Sequence, residues 1–140
     1  MIASFVKIDD LSSESVDFYT VILGSNELTE FELFDEKEFP DHENEIEIIY
    51  NAIVAMQTKG AKSYYFKTNE GPADALPRVS QEIMDANKKD YGVRLYCVRL
   101  TDNLVILLNG GIKTQIDPTL CNNVNPHFRR AFKIASKLDN

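Results

Sequence analysis

The sequence predicts an α+β domain: a small, mainly antiparallel sheet of four to five strands, with two helices in the N-terminal half and one at the C-terminal end. Three observations carry this. Short β-branched and aromatic runs recur along the chain. One long stretch between them has helical apolar spacing. Two apolar strands joined by a tight turn are then followed by a basic segment with one apolar face. At 140 residues the chain suits one domain, read as residues 1–140, and is long enough to bury a core without staples.

In chain order, Ile2–Ile8 is a short apolar strand and Leu11–Ser15 a polar turn. Val16–Leu23 (VDFYTVIL) has strand composition and stops at Gly24-Ser25-Asn26. Asn26 can cap a helix over Glu27–Phe39, with Glu27 and Glu30 suiting the positive end of its dipole; a strand is the competing reading. Pro40-Asp41 breaks the chain. Ile46, Ile49, Tyr50, Ile53 and Met56 then follow the i, i+3, i+4, i+7 spacing of an amphipathic helix over residues 43–59, ended by Lys59-Gly60.

Ser63–Thr68 reads as a strand and Asn69–Pro77 as a loop, because it holds two prolines and a glycine. Val79–Asn87 suggests a short helix, and residues 88–92 a turn. In Val93–Leu100 (VRLYCVRL), Arg94, Tyr96 and Val98 point one way, and Val93, Leu95, Cys97 and Arg99 the other. Thr101-Asp102-Asn103 is a tight turn. Leu104–Leu108 (LVILL) is apolar throughout, as in a central strand covered on both faces. Asn109-Gly110-Gly111 reads as a bend, with residues 112–114 continuing past it and 115–125 a loop. Pro126 opens the last helix, with Phe128, Ala131, Phe132, Ala135 and Leu138 as its apolar face and Arg129, Arg130, Lys133 and Lys137 as its polar face.

The longest apolar runs, 52–56 and 104–108, fall far short of the roughly 20 residues of a spanning helix. The N-terminus lacks the basic region and apolar stretch of a signal peptide. Cys97 and Cys121 are too few for a disulfide framework. Together these predict a cytoplasmic protein with no membrane contact.

The net charge of −7 is unevenly spread. Residues 1–90 hold 8 Lys/Arg and 19 Asp/Glu, a balance of −11; residues 91–140 hold 7 and 3, a balance of +4. Such asymmetry fits either a polyanion contact at one end or an ordinary acidic protein. There is no P-loop, no GxGxxG after a strand and no GxSxG elbow. Cys97, Cys121 and His127 lack the spacing of a zinc site, and no metal or cofactor is expected. His42 and His127 read as surface or capping residues before they read as general bases. Arg94 and Arg99 on a strand, Lys113 beyond its partner strand and Lys88-Lys89 before the hairpin form a cationic set suited to phosphate, with Tyr96 placed to stack on a base. The same arginines are equally suited to pairing with the carboxylates of the first half.

Residues 91–115 (YGVRLYCVRLTDNLVILLNGGIKTQ) resemble the core hairpin of the RelE/ParE toxin superfamily, especially its HigB-like branch. The resemblance rests on Arg94-Leu95-Tyr96, the Asp102-Asn103 turn, Val105–Leu108, Gly111 and Lys113-Thr114-Gln115, and the order of elements extends it over 16–138. It implies the toxin of a type II toxin–antitoxin pair: an mRNA-cleaving endoribonuclease, acting with or without the ribosome and held by an antitoxin protein. In this chemistry the ribose 2′-OH attacks the adjacent phosphate without a metal. Arg94 and Lys113 are the implied catalytic residues, stabilising the pentavalent phosphorane. Tyr96, Arg99, Thr114, Lys88, Lys89, Arg129 and Arg130 are the implied RNA contacts. Two departures stand beside it. The sequence pI is near 4.8, whereas such toxins are generally basic, and only His127 is available for their C-terminal Tyr or His. The rivals are a non-catalytic protein-binding member of the same fold and a ParE-like, gyrase-targeting one. The nuclease reading requires Arg94 and Lys113 to converge on an open hollow.

Overall fold

An apolar run such as Leu104–Leu108 needs cover on both faces and hydrogen-bond partners along both edges, and the architecture is arranged around that need. The computed structural model describes residues 3–70, 73–78, 92–113, 122 and 124–138. The chain forms β1 (Ala3–Lys7), β2 (Asp17–Leu23), α1 (Glu30–Glu36), α2 (Glu43–Lys59), β3 (Lys67–Glu70), β4 (Ala73–Leu76), β5 (Val93–Thr101), β6 (Leu104–Ile112) and α3 (Asn125–Leu138). The strands make one six-stranded sheet in the order β1-β2-β6-β5-β4-β3.

The α+β class is as expected, but the sheet is larger and mixed. β2 and β6 run parallel, in register from Asp17↔Leu104 to Tyr19↔Ile106; every other neighbouring pair is antiparallel. Residues 73–76, expected as loop, form β4, because Ala73 and Ala75 can lie fully buried against β5. Residues 63–65 form a 3-10 turn ahead of β3 rather than its start. The first helix is shorter than residues 27–39: Thr29, not Asn26, is its cap. Thr29 Oγ1 accepts from Glu32 N at 3.1 Å, while Glu32 Oε1 accepts from Thr29 N at 3.0 Å, a reciprocal capping box. α2 spans 43–59 as its periodicity requires and stops at Gly60, whose φ is +85°. The expected helix over 79–87, the turn residues before Gly92 and most of the 115–125 loop lie outside the described residues.

The two faces of the sheet separate two cores. On one, Phe18, Leu95, Cys97, Val105 and Leu107 pack against Ile49, Ile53 and Met56 of α2 and Phe31 and Phe34 of α1. On the other, Val21, Tyr96, Val98, Ile106 and Leu108 pack against Ala131, Ile134 and Ala135 of α3. Side chains alternate between faces along β5 and β6 as the sequence pattern requires. Each fully buried Leu, Ile or Phe contributes roughly 1.5–3 kcal/mol, so the two cores dominate the stability. The buried stripe of α3 differs from expectation: Ile134 is buried, whereas Phe132 and Leu138 are 43% and 40% exposed. Ala131, Ile134 and Ala135 form the side packed on the sheet, and at about 100° per residue that leaves Phe132 on the outer side.

Asn109-Gly110-Gly111 is not a bend; β6 runs through it to Ile112. The register slips there, Leu95 facing Gly110 and Cys97 facing Leu107. Gly110 is required by proximity: a Cβ at that position would stand 1.7 Å from the Arg94 carbonyl oxygen. Gly24, at φ +55°, has no atom within 4 Å of the same position. Gly110→Ala is expected to cost about 3 kcal/mol or more by forcing the two strands apart. Gly24→Ala is expected to cost only about 1–2 kcal/mol of backbone strain. Equilibrium urea unfolding of both variants checks the ranking, and equal losses would refute the close-packing account.

Candidate functional site

Past Tyr19↔Ile106, β2 no longer pairs with β6, and α1 lies against both strands. The opening between them is closed on the helix side by Phe31, whose backbone N–H donates to the buried Thr20 Oγ1 at 3.1 Å. On the strand side, Gly110 N donates to Asn109 Oδ1 at 2.8 Å. Lys37 Nζ, just beyond α1, donates to Gly110 O at 2.6 Å and to Asn109 Oδ1 at 2.9 Å. A backbone edge that β2 leaves uncovered thus receives its partners from two side chains, and an open edge is not left to recruit another strand.

α3 adds to the same place. Arg130 Nη1 donates to Glu30 Oε1 at 2.9 Å, and the Glu30 side chain is 3% exposed. Lys37 Nζ lies 3.4 Å from His127 Nε2. His127 Nδ1 and Arg130 Nε are buried and meet no partner among the described residues. Burial pushes the His127 imidazole down to about 4, and the neighbouring Lys37 and Arg130 charges add to the effect. Burial also lowers Lys37, against the opposing pull of Glu30. His127 is therefore neutral at pH 7. The sequence pattern reads His127 first as a surface or capping residue, puts Glu30 at a helix start and Asn109 in a bend, and gives Lys37 no part in a site. Nothing in the local pattern joins positions 30, 37, 109, 127 and 130; only the α1–β6–α3 junction does.

The residues singled out from the sequence are dispersed. Arg94 is 1% exposed and Lys113 2%. Arg94 Nη1 donates to the carbonyl of its neighbour Val93 at 3.0 Å, and Lys113 N donates to Gly92 O at 2.8 Å. The register sets Arg94 opposite Gly111, so Lys113, two residues on, returns toward the same face. Both side chains are enclosed rather than lining an open hollow. Tyr96 is fully buried and packs edge-on against Phe128, ring centroids 5.8 Å apart, where no base can stack on it. Arg99 forms a clamp at the hairpin turn: Nε donates to Ala61 O at 2.6 Å, Nη2 pairs with Asp102, and Lys62 Nζ joins Asp102 at 2.7 Å. That clamp holds the end of α2 to the β5–β6 turn. Arg130 is taken by Glu30, and Arg129 is exposed. Lys88, Lys89, Thr114 and Cys121 lie outside the described residues.

Among the described residues no group of His, Cys, Asp and Glu is placed to hold a metal ion, and no helix is long and apolar enough to cross a membrane.

A His whose folded pKa lies below its ordinary value of about 6.5 takes up protons more readily when unfolded. Its contribution to stability is complete above pH 6.5, falls as pH drops toward about 4, and is constant below that. Because solvent reaches part of the ring, the loss is set at roughly 1–2 kcal/mol rather than the full linkage value. Unfolding measured from pH 7.5 to 3.5 should show this slope in the wild type and lose it in His127→Gln; an unchanged slope would remove His127 as its source. Comparison of the chain with protein-family models, with curated proteins and with solved structures returns no match.

Proposed function

We propose that the chain is the toxin-like member of a type II toxin–antitoxin pair, acting through protein contact on a RelE/ParE-like scaffold rather than by cutting RNA. The toxin part of the reading rests on the hairpin sequence and the order of its elements. The mode of action rests on one observation: Arg94 and Lys113, the cations that the cleavage chemistry needs, are both almost wholly withdrawn from solvent. A phosphodiester approaching the described surface meets neither. Electrostatics point the same way. The side formed by α1 and α2 exposes Glu32, Asp35, Glu36, Glu38, Asp41 and Glu43, a field that repels a polyanion over about a Debye length of 8–10 Å. An acidic, folded surface is better suited to a protein partner.

A second reading, metal-independent endoribonuclease, is favoured by the common placement of Arg94 and Lys113 at one end of the β5–β6 hairpin. It requires that end to open before the guanidinium can meet a phosphorane.

Induced expression of the wild-type chain in a bacterial host tests both. The expected result is growth arrest with transcripts intact, relieved by co-expression of an adjacent antitoxin gene product. Fragmented mRNA, mapped by 5′-end sequencing and reproduced with purified protein and RNA, would overturn the contact reading in favour of cleavage. Gyrase-dependent DNA breaks would identify the gyrase-directed form of the contact reading. Unimpaired growth at high expression would refute the toxin assignment itself.

A further inference from the structure

α2 and α3 lie on opposite faces of the sheet, and their outward sides carry opposite charge. On α3, Arg129, Lys133 and Lys137 are spaced four apart and all exposed; that spacing stacks them in one row about 12 Å long. Beside the row stands Phe132, 43% exposed. On α2, Glu43 and Glu47 are exposed, and Val54, three turns along the same row, is 58% exposed. Glu36, Glu38 and Asp41 extend the acidic field at the start of that helix. Each outward side thus combines a row of like charges with a substantially exposed apolar side chain. With the sheet between them, the two sides of one molecule cannot meet.

We infer that the outward side of α3 docks on the outward side of α2 of a second copy, Arg129, Lys133 and Lys137 facing Glu43 and Glu47, with Phe132 and Val54 shielded between the helices. The occupant is argued from complementarity of charge and of apolar content, both halves of which this chain carries. The contact is heterologous, one patch of one copy meeting a different patch of the next, so it propagates head to tail until a ring closes or a filament grows. It is independent of the toxin reading, since it uses neither Arg94, Lys113 nor an antitoxin.

Rim charges govern association rate and salt sensitivity, so ionic strength is the first handle. Sedimentation velocity of the full chain at 20 mM salt should show the weight-average mass rising with protein concentration to at least twice the 15.9 kDa of the monomer, and returning to it at 500 mM. Lys133→Glu/Lys137→Glu, and separately Glu43→Lys/Glu47→Lys, should each remain monomeric at 20 mM; all four positions are exposed, and circular dichroism verifies the fold. Mixed one to one, the two variants should associate again at 20 mM, since the retained faces are complementary across the pair and so are the two reversed ones. Val54→Ser should weaken wild-type association without altering charge. Monomers at every concentration in low salt would overturn the inference. So would association that survives either charge reversal, or variants that fail to pair on mixing. Retardation of RNA by the wild type alone, with the protein otherwise monomeric, would assign the α3 face to nucleic acid instead.

Discussion

β6 has to be covered twice and bonded along both edges, and the rest of the molecule follows from that constraint. Its apolar run places Val105 and Leu107 in one core and Ile106 and Leu108 in the other, so helices are needed above and below. One edge belongs to β5 for the whole length of the hairpin. The other is bonded to β2 over only three register pairs. Beyond them α1 lies against the strand, Asn109 Oδ1 accepts from the Gly110 N–H, and the Lys37 ammonium donates to the Gly110 carbonyl. A buried, unpaired carbonyl costs about 1–3 kcal/mol. The polar junction of α1, β6 and α3 is therefore explained first as the closure of a strand edge.

That order of explanation matters for function. A neutral histidine between two cations, with a buried glutamate close by, has the composition of a general-base site. Here each group already has structural work. Lys37 satisfies a backbone oxygen and a side-chain amide; Glu30 and Arg130 tie α1 to α3 from opposite sides of the gap. The perturbed His127 follows from placing an imidazole beside those tethering cations. Perturbation alone does not make a catalyst, because structural networks shift pKa values by the same physics.

The arginines tell a similar story about sequence motifs. Arg94 and Arg99 are five residues apart on one strand and look alike in the sequence. In the fold, Arg94 is enclosed beside the close approach of β5 to Gly110, whereas Arg99 clamps the hairpin turn to the end of α2. The same end of α2 is held from the other side by the Ser13 and Ser15 hydroxyls, which donate to the carbonyls of Gln57 and Thr58 at 2.7 and 3.0 Å. These bonds satisfy helix-terminal acceptors that have no partner within the helix. A cation on a strand is thus as readily a structural fastener as a phosphate ligand, and the strand pattern alone does not distinguish them.

By itself the sequence determined what repeats locally: the α+β class, α2 with its glycine stop, β2, the β5–β6 hairpin and the assignment of alternate residues to two faces. Side-chain periodicity and turn chemistry act over a few residues and are written directly in the chain. Tertiary structure decided what depends on remote neighbours. Ala73 and Ala75 became strand because β5 offered an edge. Gly110 stayed in β6 because the close approach of the Arg94 carbonyl needs a residue without a side chain there. Lys37 and His127 met across 90 residues of sequence. Exposure was decided at that level too: Arg94, Tyr96 and Lys113 lie inside and Phe132 outside, because burial depends on which element lies overhead, and a linear pattern does not record that.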